Sequence, residues 1–116
     1  MEKEINVYND LQNAGLVTKI YYDDVAKTAR FENLNPNPYL CAFWIQRDIT
    51  FDDLEYFLRE RCFPETRANK DELLQLLDVP YYDPWLIVRR TKGRMVHDNI
   101  YLEFVGEEDV SLEMYR

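Results

Sequence analysis

The residues of this chain whose side chains could carry out nucleophilic or acid–base chemistry most readily are its single histidine and its two cysteines. His97 precedes Asp98, whose carboxylate would orient an imidazole, and either Cys41 or Cys62 would become a nucleophile if held within hydrogen-bond reach of that imidazole. Their spacing shows no sign of such a contact. Both cysteines stand in apolar segments, which predicts two reduced core thiols and a cytoplasmic setting. A non-catalytic surface histidine is favoured, with a small cysteine-dependent enzyme as an open alternative.

The sequence contains no pattern typical of a metal-binding or phosphate-binding site. Structural zinc sites pair their ligands about two to four residues apart, whereas the two cysteines are twenty-one residues apart. The acids at 107–109 lack the alternation and internal glycine of a calcium-binding loop. The three glycines stand alone, outside any phosphate-binding loop. The sequence therefore predicts no metal and no cofactor.

A cluster of cations is the sharpest local charge feature. Arg89, Arg90, Lys92 and Arg94 fall within six residues, and such a basic patch would suit phosphates. Cations are also favoured at the C-terminus of a helix by its dipole, and the formal net charge of −8 repels nucleic acid. Contact with acidic groups is the favoured interpretation, and a regulatory module that contacts nucleic acid through this patch stays open.

The acidic surplus predicts a protein partner. The 116 residues contain 22 Asp and Glu against 14 Lys and Arg. Carboxylates on a rigid scaffold can occupy the positively charged nucleic-acid channel of another protein, although acidity also serves solubility alone. The candidate partner-binding acids are Asp23, Asp24, Glu107, Glu108 and Asp109. No apolar run approaches the roughly 20 residues that span a bilayer, so no membrane contact is expected.

Strands are predicted at both ends of the chain. β-forming residues and alternation indicate strands over 5–8, 16–22, 25–31 and 99–105, with a turn at Asp23-Asp24. The apolar run over 39–45 follows a proline-rich loop and predicts one further, buried strand.

Helices are predicted in the middle of the chain by their end signals. Thr50 suits the N-cap of a first helix, which Pro64 stops, and leucine spacing indicates a second helix from about 66 or 69 to 77. Asp83-Pro84 starts a third helix over about 85–91, and Gly93 would be its left-handed cap.

The order of these elements predicts a single α+β domain over residues 1–116. A small antiparallel sheet, made of an N-terminal hairpin and a C-terminal strand, would pack against about three helices. Arg59, Arg61 and Arg67 would tie the loops together through carboxylates such as Asp98, because the planar guanidinium suits such bridging.

A spaced motif runs through residues 54–104. Its parts are FLRERCFPETR at 57–67, LLQLL at 73–77, YDP at 82–84, IV at 87–88, TKGRM at 91–95 and DNIY at 98–101. This pattern resembles a group of small, uncharacterised bacterial proteins associated with phages and mobile elements, although that group has His where this chain has Lys92. The resemblance implies a setting in mobile DNA and no particular activity.

Charge and resemblance together predict a non-enzymatic acidic protein that binds a nucleic-acid-handling partner and inhibits or modulates it. An anti-CRISPR or similar anti-defence inhibitor is the concrete form of this hypothesis, with a basic nuclease such as a CRISPR effector as its partner.

Overall fold

The computed structural model describes residues 2–44 and 47–107 of the chain. These residues form four strands and three α-helices, joined by loops and short 3-10 helices. The strands are β1 (Lys3–Asn9), β2 (Gly15–Asp23), β3 (Thr28–Asn33) and β4 (Ile100–Phe104). The helices are α1 (Phe51–Glu60), α2 (Lys70–Leu77) and α3 (Pro84–Thr91). All strand pairs are antiparallel and their order is β3-β2-β1-β4, which confirms the predicted α+β fold.

The sheet joins the two ends of the chain. β1 and β2 form a hairpin with Ile5 opposite Ile20, and β4 pairs with the other side of β1, with Ile5 opposite Phe104. Side chains alternate between faces along each strand, so these three residues share one buried face. The helices pack on that face, while the opposite, outer face carries residues such as Tyr8 and Tyr101, whose rings stack at 5.0 Å.

The helices begin where the capping signals predict. The Thr50 hydroxyl accepts from the Asp53 N–H at 3.1 Å, and the Asp53 carboxylate accepts from the Thr50 N–H at 2.9 Å, which forms a capping box at α1. The Asp83 carboxylate accepts from the Trp85 N–H at 3.0 Å, and Pro84 occupies the first turn of α3. These local bonds satisfy amides that the helix itself leaves without partners.

Each helix buries one stripe of side chains in the common core. These residues are Phe51, Leu54 and Leu58 of α1, Leu73, Leu74 and Leu77 of α2, and Ile87, Val88 and Thr91 of α3. Full burial of one Leu or Ile stabilises the fold by about 1.5–3 kcal/mol. The three stripes therefore hold the helices in the core, and the stripe of α2 explains the leucine spacing in the sequence.

The predicted strand over 39–45 is wrong in its described part. Residues Pro38–Leu40 form a short 3-10 helix, and 41–44 are irregular. The Asn37 side chain accepts from the Tyr39 N–H at 3.1 Å and turns the chain at that point. Tyr39 and Trp44 are 72% and 61% exposed, and their rings pack edge to face on each other. The apolar residues of this segment therefore divide, with Leu40 and Cys41 buried in the core and Tyr39 and Trp44 on the surface.

The third strand begins three residues later than predicted. The Asp23 carboxylate accepts from the N–H groups of Val25 and Ala26 at 2.9 and 3.0 Å, so residues 24–27 form the turn. Val25, expected within the strand, is 88% exposed in that turn. Short Asp side chains commonly organise turns in this way, and here the bond extends the turn into the expected strand.

The left-handed end of α3 lies one residue earlier than predicted. Lys92 is the C-cap with φ 57°, and Gly93 follows with φ 66°. A Cβ on Gly93 would meet the Leu102 side chain at 3.0 Å. Glycine is therefore required here by the close approach of β4 as well as by its backbone angle.

Arg61 joins three distant parts of the fold. Its guanidinium, 8% exposed, donates to both carboxylate oxygens of Asp98 at 2.7 and 2.8 Å. It also donates to the carbonyl oxygens of Gly93 at 2.8 Å and Ile100 at 3.2 Å. The predicted arginine tie to Asp98 is thus confirmed for Arg61. It fixes the end of α1 to the turn after α3 and to the start of β4.

Replacing Arg61 tests the importance of this tie. We expect Arg61→Ala to lower the free energy of unfolding by about 3–5 kcal/mol, because the Asp98 carboxylate is left partly buried without its partner. Urea denaturation measures the loss, and Arg59→Ala, which changes an exposed arginine two residues earlier in the chain, is the control. A loss as small as that of the control contradicts the assignment.

Asp98 makes the stability depend on pH. Burial opposes its ionisation, but the hydrogen bonds from Arg61 and from the Ile100 N–H, together with the positive charge of Arg61, outweigh burial and hold the pKa of the Asp98 carboxyl below its usual value. A carboxyl with a lower pKa in the folded state stabilises the fold above its unfolded-state pKa, about 3.9, and loses that effect as pH falls through the folded-state pKa. We therefore expect unfolding to become easier below about pH 4.

Denaturation of Asp98→Asn over the same pH range isolates this contribution. The variant should be less stable at pH 7 and lose less stability on acidification than the parent. Asp71→Asn, at an exposed position on α2, should leave the parent's profile unchanged. Equal slopes for the parent and Asp98→Asn would show that Asp98 does not contribute.

Candidate interaction surface

The cysteines and the histidine do not meet. Cys41 and Cys62 are buried free thiols, each donating to backbone carbonyls, which confirms their predicted core position. Burial raises the pKa of the Cys62 thiol to about 12, so the nucleophilic thiolate is suppressed. His97 is exposed with its Nε2 3.7 Å from Asp98 Oδ2. Within the described part of the chain, no hydrogen bond joins His97 to either thiol.

Residues 2–44 and 47–107 contain neither a cluster of metal ligands nor a membrane-spanning helix. No group of three or more His, Cys, Asp or Glu side chains is placed to hold a metal ion. None of the helices there is both long enough and apolar enough to cross a membrane.

Arg89 is engaged by the protein itself. Its guanidinium donates to both carboxylate oxygens of Glu107 at 2.8 and 3.1 Å and lies 4.3 Å from the centre of the Phe104 ring. Burial alone would lower its pKa, but the hydrogen bonds to Glu107, the negative charge of Glu107 and the interaction with Tyr22 together outweigh burial and raise the pKa of Arg89 above its usual value. One predicted cation thus pairs with one predicted acid.

The other cations of the 89–94 stretch meet different parts of the molecule. Arg90 lies 3.5 Å from the Asp78 carboxylate at the end of α2. Arg94 stacks on the Tyr101 ring at 4.3 Å, on the outer face of the sheet. Lys92 supplies the left-handed cap of α3. The four side chains therefore do not form one phosphate-binding patch.

The predicted acids are brought together by the sheet. Lys3, at the start of β1, pairs with Tyr22 near the end of β2, so the Asp23-Asp24 turn follows at that end of the sheet. β4 also ends there, since the Val105 N–H donates to the Glu4 carbonyl at 3.1 Å, and Glu107 follows. Glu108 and Asp109 lie outside the described residues. Acids more than 80 positions apart in the sequence thus share one end of the sheet.

Further carboxylates surround this end. Two cavities of about 430 and 270 Å³ adjoin there and share Tyr22 in their walls. We use the term acidic end for the carboxylates around them, which are Glu2, Glu4, Asp23, Asp24, Glu55, Asp83 and Glu107. These seven carboxylates outnumber the four neighbouring cations of the described residues, which are Lys3, Lys27, Arg30 and Arg89. Within that part of the chain, three of the seven form ion pairs: Asp24 with Lys3 at 3.1 Å, Glu2 with Arg30 at 2.9 Å and Glu107 with Arg89 at 2.8 Å.

Asp23 keeps its charge far into the acid range. The backbone N–H groups of Ala26 and Val25, donating to its carboxylate, lower the pKa of Asp23 to about 2. The acidic end is therefore a negatively charged surface at any physiological pH. Its backbone is held by the sheet, so little ordering is needed when a partner binds.

A second exposed feature was not anticipated from the sequence. A cavity of about 410 Å³ lies between α1 and the segment before it, with an apolar wall of Phe43, Trp44, Tyr56 and Phe57 and the Arg47–Asp53 ion pair (3.1 Å) beside them. We name this the aromatic groove. The sequence contains one sign of it, because the position of Tyr56 does not fall on the buried stripe of α1. In the structure the Tyr56 residue is 65% exposed.

Comparison with known proteins adds no relationship to this geometry. No family model matches the chain, and no curated protein or solved structure matches it either. The resemblance to proteins of mobile elements therefore stays a prediction.

The thiols provide a direct test of the site assignment. Both cysteines should resist iodoacetamide at pH 8 in the native state and react readily in urea, because each is buried and Cys62 has a raised pKa. Mass spectrometry of the alkylated protein measures the modified fraction. Rapid alkylation of native Cys62 would indicate a reactive thiol and reopen the cysteine-enzyme alternative.

Proposed function

We propose that this protein is a non-enzymatic binding protein whose acidic end occupies a positively charged, nucleic-acid-binding surface of a partner protein and so inhibits or modulates it. An anti-CRISPR or related anti-defence inhibitor, encoded by a phage or mobile element and acting in the cytoplasm on a basic nuclease, is the concrete form of the proposal.

The convergence of distant acids at one end of the sheet is the observation that supports this proposal most. A uniform acidic coat would serve solubility equally well, whereas a concentrated pole gives direction to long-range attraction. Charge complementarity of this kind speeds association and selects among partners. Asp24 and Glu107 come from opposite halves of the chain and share one end of the sheet because β1 lies between β2 and β4.

The placement of the cations favours a protein partner over bare nucleic acid. Arg89 is bound by Glu107, Arg90 lies beside Asp78, and Arg94 lies on Tyr101. A protein that binds the phosphate backbone typically presents several cations along one surface. The buried free thiols agree with a reducing compartment, which suits a cytoplasmic nuclease as the target.

Charge reversal at the acidic end tests the proposal. We expect Asp24→Lys/Glu107→Lys to raise the inhibition constant for target-DNA cleavage by a guide-loaded RNA-guided nuclease by about tenfold or more, because it turns attraction into repulsion. The matched control is Asp71→Lys/Glu72→Lys on α2, which changes the net charge equally at exposed positions away from the acidic end. Circular dichroism should show both variants folded.

Three results would contradict the proposal. The first is a wild-type protein that inhibits none of a panel of such nucleases and does not protect phage in plaque assays. The second is equal weakening by both double variants, which would mean that only net charge matters. The third is a low-salt gel shift showing that the protein itself binds DNA or RNA through Arg90 and Arg94.

A further inference from the structure

The two edges of the sheet are treated differently by the rest of the chain. At the β4 edge, the Leu102 N–H donates to the Lys92 carbonyl at 2.7 Å. The Ile100 N–H donates to Asp98 Oδ1 at 3.1 Å, and the Ile100 carbonyl accepts from Arg61 at 3.2 Å. Both outward groups of Ile100 and the outward N–H of Leu102 are therefore bonded within the chain, which hinders the addition of a further strand along the first part of β4.

The β3 edge is open. The Leu34 N–H donates to the Val17 carbonyl at 2.8 Å, and the β2–β3 register continues from this pair. Antiparallel ladders alternate between residues that bond to the neighbouring strand and residues that point away from it. By this alternation the N–H and C=O groups of Ala29, Phe31 and Asn33 point away from β2. Among the described residues, none of these backbone groups has a hydrogen-bond partner.

We propose that β3 pairs with β3 of a second copy of this chain, antiparallel about a two-fold axis at Phe31, so that two sheets become one. In this register Phe31 exchanges both backbone hydrogen bonds with Phe31 of the second copy. Ala29 does the same with Asn33 of the second copy. Every outward group of the open edge then finds a partner, which is the usual basis of strand addition.

Charge selects this register over its neighbours. Arg30 and Glu32 flank Phe31 on the outer face, so the two-fold axis places Arg30 opposite Glu32 of the second copy, twice over. Shifting the pairing to the adjacent hydrogen-bonding registers places Arg30 opposite Arg30, or Glu32 opposite Glu32. Opposite charges stabilise cross-strand pairs and like charges destabilise them. The six-residue strand is thus self-complementary in one register.

The present partner of Arg30 does not prevent this exchange. Arg30 donates to Glu2 at 2.9 and 3.0 Å, but both side chains are about half exposed, so solvent already screens the pair. The aromatic groove lies beside the same edge, because the Phe43 ring contacts both Phe31 at 4.9 Å and Phe57 at 5.2 Å. A second copy on β3 therefore also approaches exposed aromatic surface.

Sedimentation equilibrium over about 1 µM to 1 mM protein tests the pairing. The wild type should be a reversible dimer, and Glu32→Arg should raise its dissociation constant by about tenfold or more, because both cross-strand pairs become like-charged. Arg30→Glu should do the same, and Arg30→Glu/Glu32→Arg should restore the wild-type value. Glu72→Arg, with an equal charge change at an exposed position on α2, should have no effect.

Hydrogen exchange locates the interface. The amides of Ala29 and Phe31 should become protected as protein concentration rises. If Glu32→Arg does not fold, Ala29→Pro replaces it: the lost N–H faces away from β2, so the variant should fold and remain monomeric. Any one of four results overturns the proposal. Two of them are a wild type that is monomeric at all concentrations and a dimer that these variants do not affect. The other two are a double variant that fails to restore the dimer and amides that stay unprotected in it.

Discussion

The hydrogen bonds of the buried Arg61 guanidinium are the interaction on which the rest of this structure depends. A buried charge is tolerated only when its hydrogen bonds are made, and Arg61 makes them to three segments, at Gly93, Asp98 and Ile100. It therefore fixes where β4 starts relative to the end of α1. With the Leu102 N–H bonded to the Lys92 carbonyl, the same connection covers the first part of the β4 edge, whereas the outward groups of β3 have no partner among the described residues.

The position of β4 also creates the charge distribution. Because β4 runs antiparallel beside β1, its end arrives at the start of β1 and the end of β2. Glu107 thereby joins the Asp23-Asp24 turn and binds Arg89. One of the four clustered cations is thus bound at this end of the sheet, where carboxylates from both halves of the chain outnumber the cations.

Local signals predicted the parts of the fold that local physics decides. The starts of α1 and α3 follow from Thr50 and Asp83, because capping bonds span only two or three residues. The segment over 39–45 was predicted wrongly as a strand, because apolar composition does not fix the backbone conformation and does not distinguish the buried Leu40 and Cys41 from the exposed Trp44. Which acids share a surface was beyond the sequence, since the meeting of Asp24 and Glu107 depends on strand order.

The central claim is that this protein meets positively charged surfaces through its acidic end. The most direct measurement is an NMR titration of the ¹⁵N-labelled protein with a short lysine-rich peptide, which mimics such a surface without requiring the natural partner. The account predicts that the amides of Asp24, Gly106 and Glu107 shift at low salt, that α2 does not, and that salt reverses the shifts. Shifts spread evenly over the molecule, or concentrated on α2, would contradict it.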